Sequence, residues 1–185
     1  MRLVFNERKA AQAAAFLLRL HGGSMNYMAL IKLLYLADRQ ALVETGLPIT
    51  GDKMVSMPHG PVLSLIYDRI NLGNPHDSTA WFEYITEPTH YEVELAKQGE
   101  ETDELSRYEM NVLQLIYNQY GSLDKWLLRD VTHTLPEWED PHGSSMPIDP
   151  ADILRAAGKS PKEIERIVAD AEELCFFNSL DRPTK

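Results

Sequence analysis

Cysteine is nearly absent. Cys175 stands alone, so no internal disulfide can form, and a lone thiol among Leu174, Phe176 and Phe177 reads as a small buried hydrophobe of a reducing compartment. Long apolar runs are missing as well. No stretch approaches the ~20 apolar residues of a membrane span, and Glu7, Gln12 and Arg19 break any signal-peptide core at the N-terminus. These gaps predict a soluble cytoplasmic protein without membrane contact. Basic residues are outnumbered, 18 Lys and Arg against 28 Asp and Glu, for a formal charge of -10. Such a surface repels nucleic acid and favours encounter with a basic protein partner. The acid is concentrated: residues 82–110 hold nine acidic and two basic side chains.

Catalytic and metal-binding patterns are also lacking. The chain has no P-loop, GxGxxG, GxSxG or Cys/His nucleophile arrangement. Its histidines, His21, His59, His76, His90, His133 and His142, include no i,i+4 pair around an acid and no nearby cysteine, so neither a metal nor another cofactor is expected. One enzymatic alternative centres on Asp52 and His59, a general base with its carboxylate; a His before Gly-Pro is also a ready donor to a backbone carbonyl. His133, at a helix end, suits the last carbonyls of that helix. A helix-turn-helix through residues 22–26 is disfavoured because the following helix offers only Lys32, Arg39 and Gln40 for base readout. No internal repeat is present.

What is present is an apolar helix and a set of well-marked helix ends. Met28, Leu30, Ile31, Leu33, Leu34, Tyr35, Leu36 and Ala37 crowd one helix on all sides, interrupted by Lys32, which marks a buried post and not a surface helix. Asn26 caps it and Gly46 ends it. Before it, Asn6 caps a helix with Ala10, Ala13, Ala14, Leu17 and Leu20 inward and Arg8, Lys9, Gln12 and Arg19 outward. A short strand covers residues 53–57, and Pro61 is read as the first residue of the next helix. Residues 81–86 and 91–95 read as an antiparallel hairpin, the second arm alternating Tyr91, Val93 and Leu95 with Glu92 and Glu94; the acidic run after it reads as a solvated turn. Ser106 and Glu109 form a capping box, Ser122 is taken as the cap of the helix ending near His133, and residues 134–150 form a loop of the kind that often carries contacts. Asp149-Pro150 and Ser160-Pro161 start the last two helices, and the tail frays beyond about Leu180. The predicted fold is α+β, mainly α: a single globular domain of about six or seven helices with a small antiparallel hairpin or sheet.

In their order, Lys32-Leu33-Leu34-Tyr35-Leu36-Ala37-Asp38, Gly46-x-x-Ile49-Thr50-Gly51-Asp52 and Pro58-His59-Gly60-Pro61-Val62 resemble the Panacea domain, the SocA-like or phage-associated-protein family. Leu105-Ser106-x-x-Glu109, Tyr120-Gly121-Ser122 and Thr132-His133 before Pro136 and Trp138 extend the match. It runs over about residues 5–140 and suggests a Panacea-like domain at 1–140 with a helical extension at 141–185 packed on it. The resemblance implies a mainly helical fold with a small antiparallel sheet and the antitoxin role of a bacterial or prophage toxin-antitoxin pair, neutralising a cognate toxin by direct contact. Within the family the alternative is an adaptor that delivers the toxin to a cytoplasmic protease. The family residues Lys32, Tyr35, Gly51, Asp52, His59, Gly60, Pro61 and His133 are read as structural. Trp138, His142, Glu92 and Glu94 are the expected partner contacts.

Overall fold

A computed structural model describes residues 1, 3–72, 80–97, 99 and 101–180, with only the backbone of 177–180. Residues 74–78, read from sequence as a turn, and the tail beyond Leu180 lie outside the described residues. The described part is mainly helical, with two small antiparallel sheets.

The central helix is α2, Tyr27–Thr45. The Asn26 side chain accepts from Met28 N at 3.1 Å, and Gly46 closes the far end at φ 83°, a left-handed conformation natural to glycine. Leu30, Ile31, Leu33, Leu34, Tyr35 and Leu36 are all buried. Neighbours cover α2 on every side: α1 (Glu7–Leu20), α5 (Arg107–Tyr120), α6 (Lys125–His133) and α7 (Pro150–Ala156). Each buried Leu or Ile of this post contributes about 1.5–3 kcal/mol.

Local signals placed most of the surrounding helices. Asn6 accepts from Lys9 N at 3.0 Å to start α1. Ser106 and Glu109 close a reciprocal capping box on α5, and Asp149 caps α7 ahead of Pro150. Helix α6 is capped by Asp124, which accepts from Trp126 N and Leu127 N, and not by Ser122. Gln12 is fully buried instead of outward-facing: its side chain donates to Tyr84 Oη and to Asp103, and accepts from Glu104 N at 2.9 Å. The acidic turn around Asp103 and Glu104 is therefore packed on α1.

The sheets depart most from the sequence reading. Residues 60–63 are strand β3 (Gly60–Leu63), not a helix start; β3 pairs with β2 (Met54–Met57) across the two-residue Pro58-His59 turn, and α3 begins only at Ser64 (Ser64–Leu72). Pro61 is tolerated there because β3 is an edge strand. On the other edge of β2 sits β5, Met146–Pro147, inside the stretch read as loop. Residues 80–84 form the short helix α4 (Ala80–Tyr84) and β4 (Glu92–Glu94) pairs with β1 (Ser24–Asn26), while the expected hairpin is kept in part, as an antiparallel bridge between Ile85 and Leu95 with Thr86 N donating to the Glu94 carbonyl at 2.9 Å. Val93 and Met25 face each other and are buried, while Tyr91 is 66% exposed. The last helix, α8 (Pro161–Leu180), buries Ile164 and Ala171, but Cys175 is only half-buried, between exposed Leu174 and Phe176.

Candidate functional site

Four polar side chains inside the core organise the face made by α2, α6 and the β2–β3 hairpin. Asp38 is fully buried on α2, and its carboxylate accepts from both the backbone N–H and the hydroxyl of Thr50. Burial pushes its carboxyl up to about 7, opposed by the Thr50 bonds. Asp52, also buried, accepts from Lys53 N at 2.6 Å, Leu65 N at 3.0 Å and Ile66 N at 2.9 Å. It thereby holds the first amides of α3, and burial outweighs those amides to push its carboxyl up.

Glu137, in the loop after α6, is a third buried acid. It accepts from Tyr35 Oη at 3.0 Å and from Arg39 at 2.6 and 3.2 Å. Burial, with Glu137 adding to it, pushes the Tyr35 hydroxyl up and keeps it a donor. Nothing in the sequence marks Glu137, because its partners lie about a hundred residues away and the pairing is purely tertiary.

The fourth is Lys32, which is 1% exposed. Its Nζ donates to the Pro61 carbonyl at 2.7 Å, and no carboxylate pairs with it among the described residues. Burial lowers its pKa to about 7. A Cβ on Gly60 would lie 2.9 Å from Lys32 Nζ, 2.8 Å from Thr132 Oγ1 and 3.0 Å from His133 Cδ2, and Gly60 has φ 90°. Position 60 thus requires glycine on two counts. His133 stacks on Trp138 with centroids 4.0 Å apart and planes 7° from parallel, and Trp138 Nε1 donates to the Met57 carbonyl at 3.2 Å. Burial holds His133 below its ordinary pKa, with Lys32 and Arg129 adding to that.

Asp52 and His59 are not brought together. The Asp52 carboxylate is turned to backbone amides, and His59 is exposed at the hairpin turn, edge-on to Trp126 at 6.2 Å. From His59 a surface ridge can be traced. Trp126 is 48% exposed, with Arg129 5.1 Å and Lys125 Nζ 5.3 Å from its ring, and Lys125 lies 5.6 Å from the ring of exposed Tyr91. Glu92 lines a groove with Lys125 and Trp126, and Glu94 is exposed on the same strand. Trp138 is half-buried at the inner end of the ridge, behind His133. His142, at φ 51°, projects into solvent from the following loop and is paired only loosely with Asp140 at 4.0 Å. Sequence reading passed over Tyr91 and Trp126 as anchors; the available signal was an aromatic flanked by Lys125 and Arg129 on a short polar helix. Among the described residues no group of His, Cys, Asp and Glu is arranged to hold a metal, and no helix is long and apolar enough to cross a membrane.

A family model described as antitoxin SocA-like, Panacea domain, matches residues 30–139. No curated protein and no solved structure matches the chain.

Proposed function

The chain belongs to the SocA-like Panacea-domain antitoxin family, and from that premise we propose that it neutralises a cognate protein toxin in the cytoplasm by binding it directly. Family membership is the observation that carries this reading. The ridge from His59 through Trp126 to Tyr91 supports it, because Trp and Tyr exposed beside cationic side chains are the residue types that dominate binding energy at protein interfaces. Glu92 and Glu94 at one end, and the net charge of -10, favour a toxin with a basic face. Trp138 and His142 extend the contact surface along the adjoining loop. The burial of Lys32, Tyr35 and Asp52, and the close approach of Gly51 to the Val4 backbone, support reading them as the scaffold of this surface. The reading is of a binding protein and not an enzyme, with no nucleic-acid contact.

The test is co-expression with the product of the neighbouring gene, followed by pull-down and calorimetry on the full chain. Relief of toxicity with a stable complex is expected. Unrelieved toxicity refutes the proposal. A toxin whose half-life shortens when this chain is present, in a protease-competent cell, replaces sequestration by adaptor delivery to a protease.

A further inference from the structure

A cavity of about 500 Å³ opens between α2, the β2–β3 turn and the loop that precedes β5. Tyr27, Met28, Ile31 and Tyr67 supply apolar and aromatic wall, and Lys32, His59 and Ser144 supply polar groups. That volume and that mixture, mostly apolar with a few convergent polar groups, are typical of sites for small molecules.

Lys32 is the feature of this wall that the fold leaves unfinished. An ammonium removed from water is costly unless an opposite charge meets it, yet of its three N–H groups only one has an acceptor among the described residues, the neutral carbonyl of Pro61. Its neighbours supply no free acid: His133 lies beside Gly60, and the nearby Asp130 carboxylate is already paired with Arg129 at 2.6 Å. His133 Nε2 is buried and has no partner among the described residues. Gly60, bare of a side chain, packs closely on Lys32 Nζ, and both residues line the cavity. Nitrogen donors without acceptors thus gather at one wall in a chain whose net charge is -10.

We propose that this cavity is a binding site for a small organic anion, whose carboxylate or phosphate accepts from Lys32 Nζ and whose apolar body lies against Met28, Ile31 and Tyr67. The anion completes the charge pairing that the fold omits, and Lys32 takes up a proton as the anion binds, because a lysine half-neutral near pH 7 becomes a full ammonium beside an oxyanion. A lysine present only to tie α2 to β3 through Pro61 has no such response.

The experiment titrates the full chain, carrying ¹⁵N-labelled lysine, with benzoate, phenyl phosphate and inorganic phosphate, and follows the Lys32 side-chain resonance. Saturable movement of that resonance by benzoate or phenyl phosphate is expected, with the Lys32 titration midpoint rising by about one pH unit or more on saturation. Benzoate and phenyl phosphate separate a carboxylate-preferring from a phosphate-preferring site. Inorganic phosphate is expected to bind at least about tenfold more weakly than phenyl phosphate; equal binding overturns the apolar part of the assignment. Lys32→Met is expected to lose probe binding, read by calorimetry as at least about a tenfold weaker affinity for phenyl phosphate or benzoate. No movement of the Lys32 resonance up to about 10 mM of any probe, or saturable changes elsewhere while Lys32 stays unmoved, overturns the proposal in the unsubstituted chain, whatever the stability of the variant.

Discussion

Tyr35 Oη donates to Glu137 Oε1 at 3.0 Å, joining the middle of the buried helix to the loop beyond α6. The carboxylate side chain is fully buried and also holds Arg39. Glu137→Ala leaves a buried hydroxyl and a partly buried guanidinium without their acceptor, and is expected to cost about 3–5 kcal/mol. Tyr35→Phe removes one neutral donor and should cost about 1 kcal/mol. Urea unfolding of both variants checks the order; a Glu137→Ala cost no larger than that of Tyr35→Phe contradicts the pairing.

Gly51 and Gly143 both have positive φ, but only Gly51 is hemmed in. A Cβ at 51 would lie 2.2 Å from the Val4 carbonyl oxygen, whereas nothing lies within 4 Å of one at 143. Gly143→Ala is expected to lose only the left-handed backbone term, about 1–2 kcal/mol. Gly51→Ala adds a backbone collision and should lose clearly more, read as a lower melting temperature for the 51 variant.

Trp126 and Leu115 are about equally exposed, at 48% and 52%, but only Trp126 stands on the proposed contact ridge. Both alanine variants are expected to unfold within about 0.5 kcal/mol of the parent. Trp126→Ala should weaken toxin binding by about 2 kcal/mol or more, roughly thirtyfold, while Leu115→Ala leaves it unchanged. Calorimetry that finds both variants binding like the parent removes the ridge from the interface.

Lys32 and Asp38 give opposite pH signatures. Asp38 is raised to about 7 in the fold from about 3.9 unfolded, so its contribution is fully present below about 3.9 and is lost as pH rises through about 7. Lys32 is lowered to about 7 from about 10.4 unfolded, so its contribution is present above about 10.4 and lost as pH falls through about 7. The charged and titratable neighbours on the elements packed against Lys32 are His59 on the hairpin turn and His133, Arg129 and Asp130 on α6. Asp38→Asn should flatten the acid limb of the stability profile and Lys32→Met the alkaline limb, measured by unfolding at several pH values. A Lys32→Met profile that still climbs as steeply as the parent between about pH 8 and 10 assigns that limb to another group.

Helices with purely local marks were legible from sequence: Asn6, Asn26, Ser106 with Glu109, and Asp149 before Pro150 each bond to amides within a few residues. Elements whose identity depends on distant partners were not. Pro61 after Gly60 reads as a helix start, yet the register Met57 to Gly60 and Met54 to Leu63 puts it in a strand, where its carbonyl meets Lys32. Residues 81–84 have the short apolar pattern that suits strand or helix equally, and packing on α1 decided for helix. Gln12 sits outside by its spacing but becomes internal because α4 and the acidic turn cover that side. The site behaved alike: Lys32, Tyr35, Asp52, Gly60 and His133 could be singled out one by one in the sequence, whereas their contacts, Glu137 and the Tyr91–Trp126 ridge emerge only when separate segments meet.

The short strand β5 contributes two residues, yet it covers the outer hydrogen-bonding row of β2, with Met146 opposite Ser56 and Pro147 opposite Val55. It lies beyond the family-matched stretch, as do Ile148, Ile153 and Leu154, which fill the same core. A chain stopped near residue 140 therefore uncovers a sheet edge together with an apolar hollow, the combination that drives strands of separate molecules to pair. The stretch that carries the family pattern leaves part of its core and sheet edge to residues beyond it, and the shortened chain is expected to self-associate where the full one stays dispersed.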